Sequence, residues 1–303
     1  MLNIIGKKNW YFVISLLVII PGVISLLMWG INLSIDFTGG SRMTLSSQQV
    51  INNQNVSKVQ NIFHQQNIEV VTTQVSGKQI ILRTKPMTEK QDAQILTSLQ
   101  QIGSFKQEEF ETIGPVIGKE ITLNALKSIA IAAFLIVFYI AWSFRKVPKP
   151  VSSWRFGICA IIALLHDVLV VVGIFSLLGH FFHVEVDNLF VTAILTVVGF
   201  SVHDTIVVFD RIRENLRRTI STPFAQVVND SILQTLVRSL NTSLTALLVL
   251  LTLLIFGGES VRWFIVALLI GITSGTYSSI FNAAPLLVLW EEFDAKRRAK
   301  KSK

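Results

Sequence analysis

The chain has 303 residues, of which 51% are hydrophobic and only 15% carry a charge. Because a soluble domain usually carries about 25% charged residues, this composition excludes an ordinary soluble protein and indicates an integral membrane protein. The 27 basic and 19 acidic residues give a formal net charge of +8. A single cysteine, Cys159, excludes an intramolecular disulfide and a cysteine-based metal site, and neither a metal nor another cofactor is expected.

The first apolar segment, residues 11–30, is long enough to cross the hydrocarbon core of a bilayer. A signal-peptide core is shorter, typically about 7–15 residues. No clear small-residue cleavage pattern follows the segment, so we expect a retained membrane helix. Pro21-Gly22 in its middle predicts a kink.

Residues 31–122 are polar, rich in glutamine, and unlike a membrane segment. Their patterns predict, in chain order, a strand, a helix, a hairpin around Ser76-Gly77-Lys78, a helix that opens with a Thr88/Gln91 capping box, and a last strand. The predicted elements are residues 42–47, 56–63, 69–75, 79–84, 88–102 and 104–112. The order β-α-β-β-α-β predicts an α+β ferredoxin-like head between the first and second membrane helices.

Five more apolar segments follow the head, and each can span about 30 Å of hydrocarbon. They are residues 124–144, 155–178, 188–209, 240–256 and 263–290. The chain is therefore predicted to be an α-helical integral membrane protein, with its first helix in residues 1–30, the head in 31–122, helices 2–6 in 123–290 and a basic tail in 291–303.

Six spans place both termini on the same side of the membrane. The basic N-terminus, the loops 144–154 and 210–238 and the basic tail then all lie on the cytoplasmic side, as the positive-inside rule requires. The opposite loops, 180–187 and 257–261, contain neither lysine nor arginine. The head is then periplasmic, and the basic clusters are explained by topology rather than by nucleic-acid binding, so no nucleic-acid partner is expected.

Asp204 lies in the middle of the fourth apolar segment, where a carboxylate is costly and marks a functional site by default. The alternative is a structural carboxylate bonded to a neighbouring helix. His203 precedes it, and helical spacing puts Asp204 on the face of Arg211, which follows Asp210 at the charged helix end. His203, Asp210 and Arg211 are therefore possible relay residues or structural supports for Asp204, as are His166 and Asp167. Gly199, one turn before His203, predicts close helix packing.

Other polar groups also interrupt the apolar segments. His166-Asp167 in the third segment either caps or bridges helices or takes part in function. Arg238, at the start of the fifth, is either a snorkelling anchor or a functional base. The Ser/Thr seams at residues 239–243 and 273–279 are more typical of helix packing than of ligand sites. No nucleotide-binding glycine loop, catalytic constellation or zinc spacing is present, so an ion gradient is the expected energy source.

Several motifs resemble those of the SecF family. Residues Ile35-Asp36-Phe37-Thr38-Gly39-Gly40 resemble its D-F-T-G-G element, Gly114-Pro115-Val116-Ile117-Gly118 its G-P-x-x-G element, and His166-Asp167 its H-D pair. The stretch 199–215, G-F-S-V-H-D-T-I-V-V-F-D-R-I-R-E-N, resembles the most specific signature of the family. Arg238 with Asn241-Thr242-Ser243 resembles the start of its fifth span, so the resemblance covers nearly the whole chain.

The resemblance implies an RND-type half with six transmembrane helices. It implies a subunit of a complex, driven by the proton motive force, that assists protein translocation across the bacterial inner membrane after the SecA/SecYEG step. The implied partners are a SecD-like subunit, YajC-like and YidC-like proteins, the SecYEG translocon, unfolded secretory polypeptides and membrane lipid.

The resemblance also implies roles for single residues. Asp204 would carry the proton and Arg238 would be its basic partner, while His203 stands where the family often has asparagine and could add a second titratable group. The junction between membrane and head would consist of Asp36, Phe37, Gly39, Gly40, Gly114, Pro115 and Gly118, where glycine accepts a positive φ.

Two other classes of function stay open from the residues themselves. Six spans also suit half of an RND-like transporter for a solute or lipid, and a non-energised scaffold subunit would need no titratable group in the membrane. An enzyme is the least expected class. A lone carboxylate serves H⁺ or Na⁺ equally well, so the coupling ion is not determined.

Overall fold

The computed structural model describes residues 2–102, 105–145, 152–218 and 222–301. The chain divides into two compact units. The membrane unit comprises Met1–Ile31, Ser128–Val184 and Leu189–Lys303. The head unit comprises Asn32–Lys127 and Glu185–Asn188. The start of the predicted strand 104–112 and most of the predicted loop 144–154 lie outside the described residues.

The elements follow one another in a simple order along the chain. A short 3₁₀ turn, Ile5–Lys7, precedes α1 (Lys8–Trp29). The head contains α2 (Ile35–Thr38), β1 (Gly40–Ser47), α3 (Asn53–Gln65), β2 (Val70–Ser76), β3 (Gln79–Thr84), α4 (Glu89–Ile102) and β4 (Phe105–Ile113). Then come α5 (Pro115–Ser143), α6 (Ser153–Phe182), α7 (Asn188–Arg218), α8 (Phe224–Phe256), α9 (Glu259–Ser278), a π-helical turn (Ser279–Ala283) and α10 (Ala284–Lys301).

Six helical stretches of the described chain are long and apolar enough to cross a membrane, which confirms the predicted number. The helices continue beyond their apolar segments, however. The predicted loop at residues 210–238 is wrong over most of its length, because α7 reaches Arg218 and α8 begins at Phe224. Ion pairs one turn apart, such as Asp210–Arg213 at 2.5 Å, support this charged extension of the helix.

The head unit has the predicted β-α-β-β-α-β order. Its four strands form an antiparallel sheet in the order β2-β3-β1-β4. Alternation along the strands buries Met43 and Leu45 of β1 and Leu82 of β3 in one core. Phe63 of α3 and Leu99 of α4 lie in the same core, so the amphipathic helices cover the apolar side of the sheet.

In the membrane unit, α1 packs closely on α6. A Cβ atom added to Gly22 would lie 2.9 Å from the Cα atom of Gly173, so the two backbones are in direct contact there. Next to this contact, the Ser25 and Ser176 hydroxyls are 2.7 Å apart and hydrogen-bonded. Pro21 lies inside α1, and the helix continues on both sides of it.

Candidate functional site

Two glycines bring α9 against α7 in the middle of the membrane unit. A Cβ atom added to Gly271 would lie 2.1 Å from Cγ2 of Val197, and one added to Gly275 would lie 3.0 Å from Cβ of Ser201. Their Gly-x-x-x-Gly spacing puts both on one helix face, where small residues allow close approach. Gly199 makes no such contact, because a Cβ atom there would meet nothing within 4 Å, and the packing predicted for it is wrong.

This close approach surrounds Asp167 of α6 with hydroxyl groups. The Asp167 side chain is 1% exposed and accepts hydrogen bonds from Ser201 Oγ at 2.5 Å, Ser274 Oγ at 2.7 Å and Ser278 Oγ at 2.6 Å. Its Oδ1 atom is also 2.9 Å from Nδ1 of His166. A carboxylate accepts about four hydrogen bonds, so this one is fully used. Asp167 thus bridges α6, α7 and α9.

The neighbouring His166 is satisfied on one side only. Its Nε2 atom is buried and has no hydrogen-bond partner in the described structure. The residue lines a cavity of about 470 Å³ whose other lining residues include Ile14, Val170 and Leu269. Tyr277 at the same cavity donates its hydroxyl to the Tyr11 carbonyl at 2.8 Å. The cavity wall is therefore apolar apart from groups that mostly bond to one another.

Asp204 has a much poorer environment, although it is equally buried. It is 2% exposed, and within the described residues it accepts one hydrogen bond, from Ser243 Oγ of α8, at the long distance of 3.4 Å. The same hydroxyl also lies within donating distance of the Ser239 carbonyl oxygen, at 3.0 Å. The Ser243 hydroxyl itself accepts from Thr276 Oγ1 of α9 at 2.6 Å. A single long hydrogen bond offsets little of the cost of burying a carboxylate charge. Asp204 therefore retains acceptor capacity that Asp167 has used.

Within the described part of the chain, the other predicted relay residues do not bond to Asp204. Among the described residues, Arg238 and His203 are exposed and make neither an ion pair nor a hydrogen bond with it. Asp210 pairs with Arg213, and Arg211 pairs with Glu214 at 2.6 Å. One residue along α8 changes direction by about 100°, so Arg238 lies outside the bundle while Ser239, 2% exposed, lies inside it.

Sequence reasoning missed the part that hydroxyl groups play here. Ser239 and Ser243 of α8 and Ser274 and Ser278 of α9 are spaced four apart, which puts each pair on one helix face. They form the helix-packing seams that the sequence indicates, but three of them also bond to the membrane carboxylates. The fourth, Ser239, has a buried hydroxyl that meets no hydrogen-bond partner in the part of the chain that the structure describes. The recurrent spacing is the signal that could have revealed them.

In the head unit, Asp36 bonds to the first residue of α7. Its Oδ2 atom accepts the backbone N–H of Asn188 at 2.8 Å. The first N–H groups of a helix have no intrahelical partner, so this carboxylate satisfies one of them and favourably meets the positive end of the helix dipole. The neighbouring strand-like pairing of Leu33 with Val186 holds the two segments side by side.

Glycine is required at three of the predicted junction positions. Gly39 and Gly40 have φ values of 73° and 127°, and a Cβ atom on Gly40 would lie 2.7 Å from the Thr84 carbonyl oxygen. A Cβ atom on Gly118 would lie 3.1 Å from the Phe37 carbonyl oxygen. Gly114 has open space around it, and the residue after it, Pro115, is the first of α5.

An ion pair joins two parts of the head unit beside this junction. Arg83 of β3 donates to Oε1 of Glu185 at 3.1 Å and to Oγ1 of Thr38 at 2.9 Å. Burial raises the pKa of the Glu185 carboxyl, although the Arg83 guanidinium acts in the opposite direction. No group of three or more His, Cys, Asp or Glu side chains that could hold a metal occurs in the described part of the chain.

Comparison with known proteins identifies relatives over almost the whole length. The family model described as "Protein export membrane protein SecD/SecF, C-terminal" matches residues 93–293, and the "SecD/SecF GG Motif" model matches residues 24–49. The protein translocase subunit SecF of Thermobaculum terrenum is 48% identical over 97% of this chain and 95% of its own length. That of Anaerolinea thermophila is 42% identical over 96% of this chain and 94% of its own.

Solved structures give the same result for the fold. The crystal structure of SecDF, a translocon-associated membrane protein from Thermus thermophilus, matches with a TM-score of 0.83 and 33% identity over 96% of this chain. SecDF in its super-membrane-facing form matches with a TM-score of 0.70 and 32% identity over 99% of the chain. This chain spans 39% and 40% of those longer proteins, respectively.

Proposed function

Since the chain belongs to the SecD/SecF family of protein-export membrane proteins, we propose that it is a SecF-like subunit that couples the proton motive force to protein translocation across the bacterial inner membrane. It acts after the SecA ATPase has driven a polypeptide through the SecYEG channel. The observation that carries the coupling step is Asp204, a carboxylate that is 2% exposed in the bundle and held by one long hydrogen bond.

Asp204 binds and releases the transported proton. In the ionised state the carboxylate accepts a hydrogen bond from Ser243, whereas in the neutral state it can donate one. Protonation therefore reverses the polarity of the contact between α7 and α8. Each proton that crosses a potential of 100 mV supplies about 2.3 kcal/mol, so a few protons per cycle can drive a conformational change.

Arg238 is the partner of Asp204 in a second state of the bundle. It lies next to Ser239, which faces into the bundle with a buried hydroxyl that lacks a partner in the described structure. Rotating α8 by about 100° would turn Arg238 into the direction that Ser239 faces here. An ionised Asp204 favours the rotated state through its attraction to the guanidinium, and a protonated Asp204 favours the state described above.

The same proposal assigns the surroundings of the chain. A SecD-like subunit is the partner, since the SecDF relatives carry a segment like this chain within a longer polypeptide. YajC-like and YidC-like proteins and SecYEG associate with that pair. Both termini are cytoplasmic, and the head is periplasmic, where it contacts the emerging secretory polypeptide. Relatives that are named as translocase subunits favour this function over a half-transporter for a solute or lipid.

The relay role is tested with Asp204→Asn in inverted inner-membrane vesicles that contain the assembled complex. We expect the gradient-dependent part of export to fall to the level seen without a gradient, while the ATP-dependent part persists. Asp210→Asn is the matched control, because that carboxylate lies on the same helix but is exposed and paired with Arg213. Unchanged gradient-dependent export by an assembled Asp204→Asn complex would exclude the relay and leave the scaffold.

A further inference from the structure

An open groove of about 770 Å³ lies beside the charged end of α10, away from the membrane carboxylates. Aromatic and aliphatic side chains form its walls. Trp154, at the start of α6, is 54% exposed, and its ring meets that of Trp290 edge-on at 4.9 Å. Leu289 and Phe293 are 42% and 66% exposed on the same surface. Tryptophan in such a position is typical of the boundary between hydrocarbon and lipid headgroups.

The acidic and basic side chains at the groove differ in whether they form ion pairs within the chain. Its acidic residues are already paired within the chain, Glu292 with Lys8 at 2.5 Å and Asp294 with Arg155. Its basic residues are Lys296 and Arg297, which are exposed and make no ion pair with any described residue. The acids are thus neutralised, and two free cationic groups stand directly beyond the apolar wall.

We propose that this groove binds an anionic phospholipid. The phosphate lies against Lys296 and Arg297, the tryptophan rings lie at the level of the glycerol, and an acyl chain follows Leu289 and Phe293. Basic pockets at the ends of membrane helices recognise such headgroups through their charge, and an apolar wall in a bilayer takes up an acyl chain without desolvating any polar group. A zwitterionic phospholipid such as phosphatidylcholine carries the same phosphate, but its choline cation cancels the headgroup charge, so its net attraction to Lys296 and Arg297 is weaker.

The site is tested on the detergent-solubilised complex with its SecD-like partner, using phosphatidylglycerol and phosphatidylcholine that carry a photoreactive diazirine on one acyl chain. Labelled peptides are mapped by mass spectrometry. We expect phosphatidylglycerol to label the segment 286–293 about 30-fold more than phosphatidylcholine, because two basic residues near a membrane surface together add about 2 kcal/mol of attraction to an anionic lipid. The double substitution Lys296→Gln/Arg297→Gln is expected to abolish this preference.

The matched control is Lys300→Gln/Lys301→Gln, which removes two charges from the same basic tail and leaves Lys296 and Arg297 in place. It should keep the preference within about twofold. Three results would overturn the proposal. They are equal labelling by both lipids in the unchanged complex, equal loss in both double variants, and cross-linking of the segment to a partner protein with no lipid attached. Equal labelling would show that the groove does not select the headgroup, and equal loss in both double variants would show that the whole basic tail attracts anionic lipid. A cross-link to a protein would show that the groove is a protein interface.

Discussion

Two carboxylates, Asp167 and Asp204, are equally buried in the bundle, yet their surroundings differ in kind. Three serine hydroxyls donate to Asp167 at 2.5–2.7 Å, whereas Asp204 accepts one hydrogen bond, at 3.4 Å. A buried charge that is fully hydrogen-bonded stabilises one arrangement of its neighbours. A buried carboxyl with spare acceptor capacity can change its protonation state without breaking a network. The first environment suits a structural bridge and the second a proton carrier.

The difference predicts that the same substitution costs much more stability at Asp167 than at Asp204. Asp167→Asn replaces an acceptor oxygen with an NH₂ group and leaves buried hydroxyl donors unpaired, so we expect it to cost about 2–3 kcal/mol of stability. Asp204→Asn disturbs one weak hydrogen bond and should change stability by less than about 1 kcal/mol. Thermal unfolding of the solubilised proteins measures both, and the Asp167 variant should melt roughly 5 °C or more below the other.

Each variant serves as the control for the other, since both remove one negative charge from the bundle. If the Asp204 variant melted as low as the Asp167 variant, Asp204 would be a structural carboxylate as well. The export defect proposed for Asp204→Asn would then report misfolding rather than a lost proton site.

At the scale of the helix pair, the contact of α9 with α7 depends on glycine at one position. A Cβ atom on Gly271 would lie 2.1 Å and 2.7 Å from the two methyl groups of Val197 and 2.9 Å from its Cβ, so no valine rotamer relieves the overlap. Overpacking of this kind typically costs about 1–3 kcal/mol. We expect Gly271→Ala to lower the melting temperature and to weaken the serine contacts with Asp167.

The other helix of the pair, α7, offers a control at Gly199, where a Cβ atom would meet nothing within 4 Å. Gly199→Ala should leave stability unchanged or raise it by up to about 1 kcal/mol, because alanine favours the helix. A loss of stability there equal to that of Gly271→Ala would mean that the substitutions act through the helix backbone and not through the contact between α7 and α9.

Features that depend on a single segment could be predicted from the sequence, whereas contacts between helices could not. Apolar length alone gives the six spans, and alternation gives the head, because both signals lie within single segments. The predicted end of α7 at residue 209 is wrong, because polar residues mark where a helix leaves the bilayer and not where the helix ends. The contacts of Asp167 with α7 and α9 depend on which helices meet, and no pattern within a single segment shows that. The contrast between Gly199 and Gly271 shows the same limit.

At the scale of the whole chain, the surface of the spans shows what the protein still needs. None of the most apolar stretch of α5 is buried within the chain, and only 11% of that of α8 is. Single spans that pack so little against their own bundle are covered by lipid or by another subunit. The longer SecDF proteins, of which this chain matches 39–40%, carry additional polypeptide of their own. These two helices are therefore the surface that is left for lipid or another subunit to cover.

The proposed topology of the chain in the membrane can be tested directly. It uses the six candidate spans, which would put the basic tail and the N-terminus on one side and the head on the other. The unsubstituted protein should react little with a maleimide, because its one cysteine, Cys159, is fully buried. Lys78→Cys, at the exposed β2–β3 turn, should react with a membrane-impermeant maleimide from the periplasmic side. Lys300→Cys should react only after the inner membrane is opened. The reverse pattern, or labelling of both cysteines from one side, would contradict the proposed topology. It would also contradict the proposed direction of proton flow through Asp204.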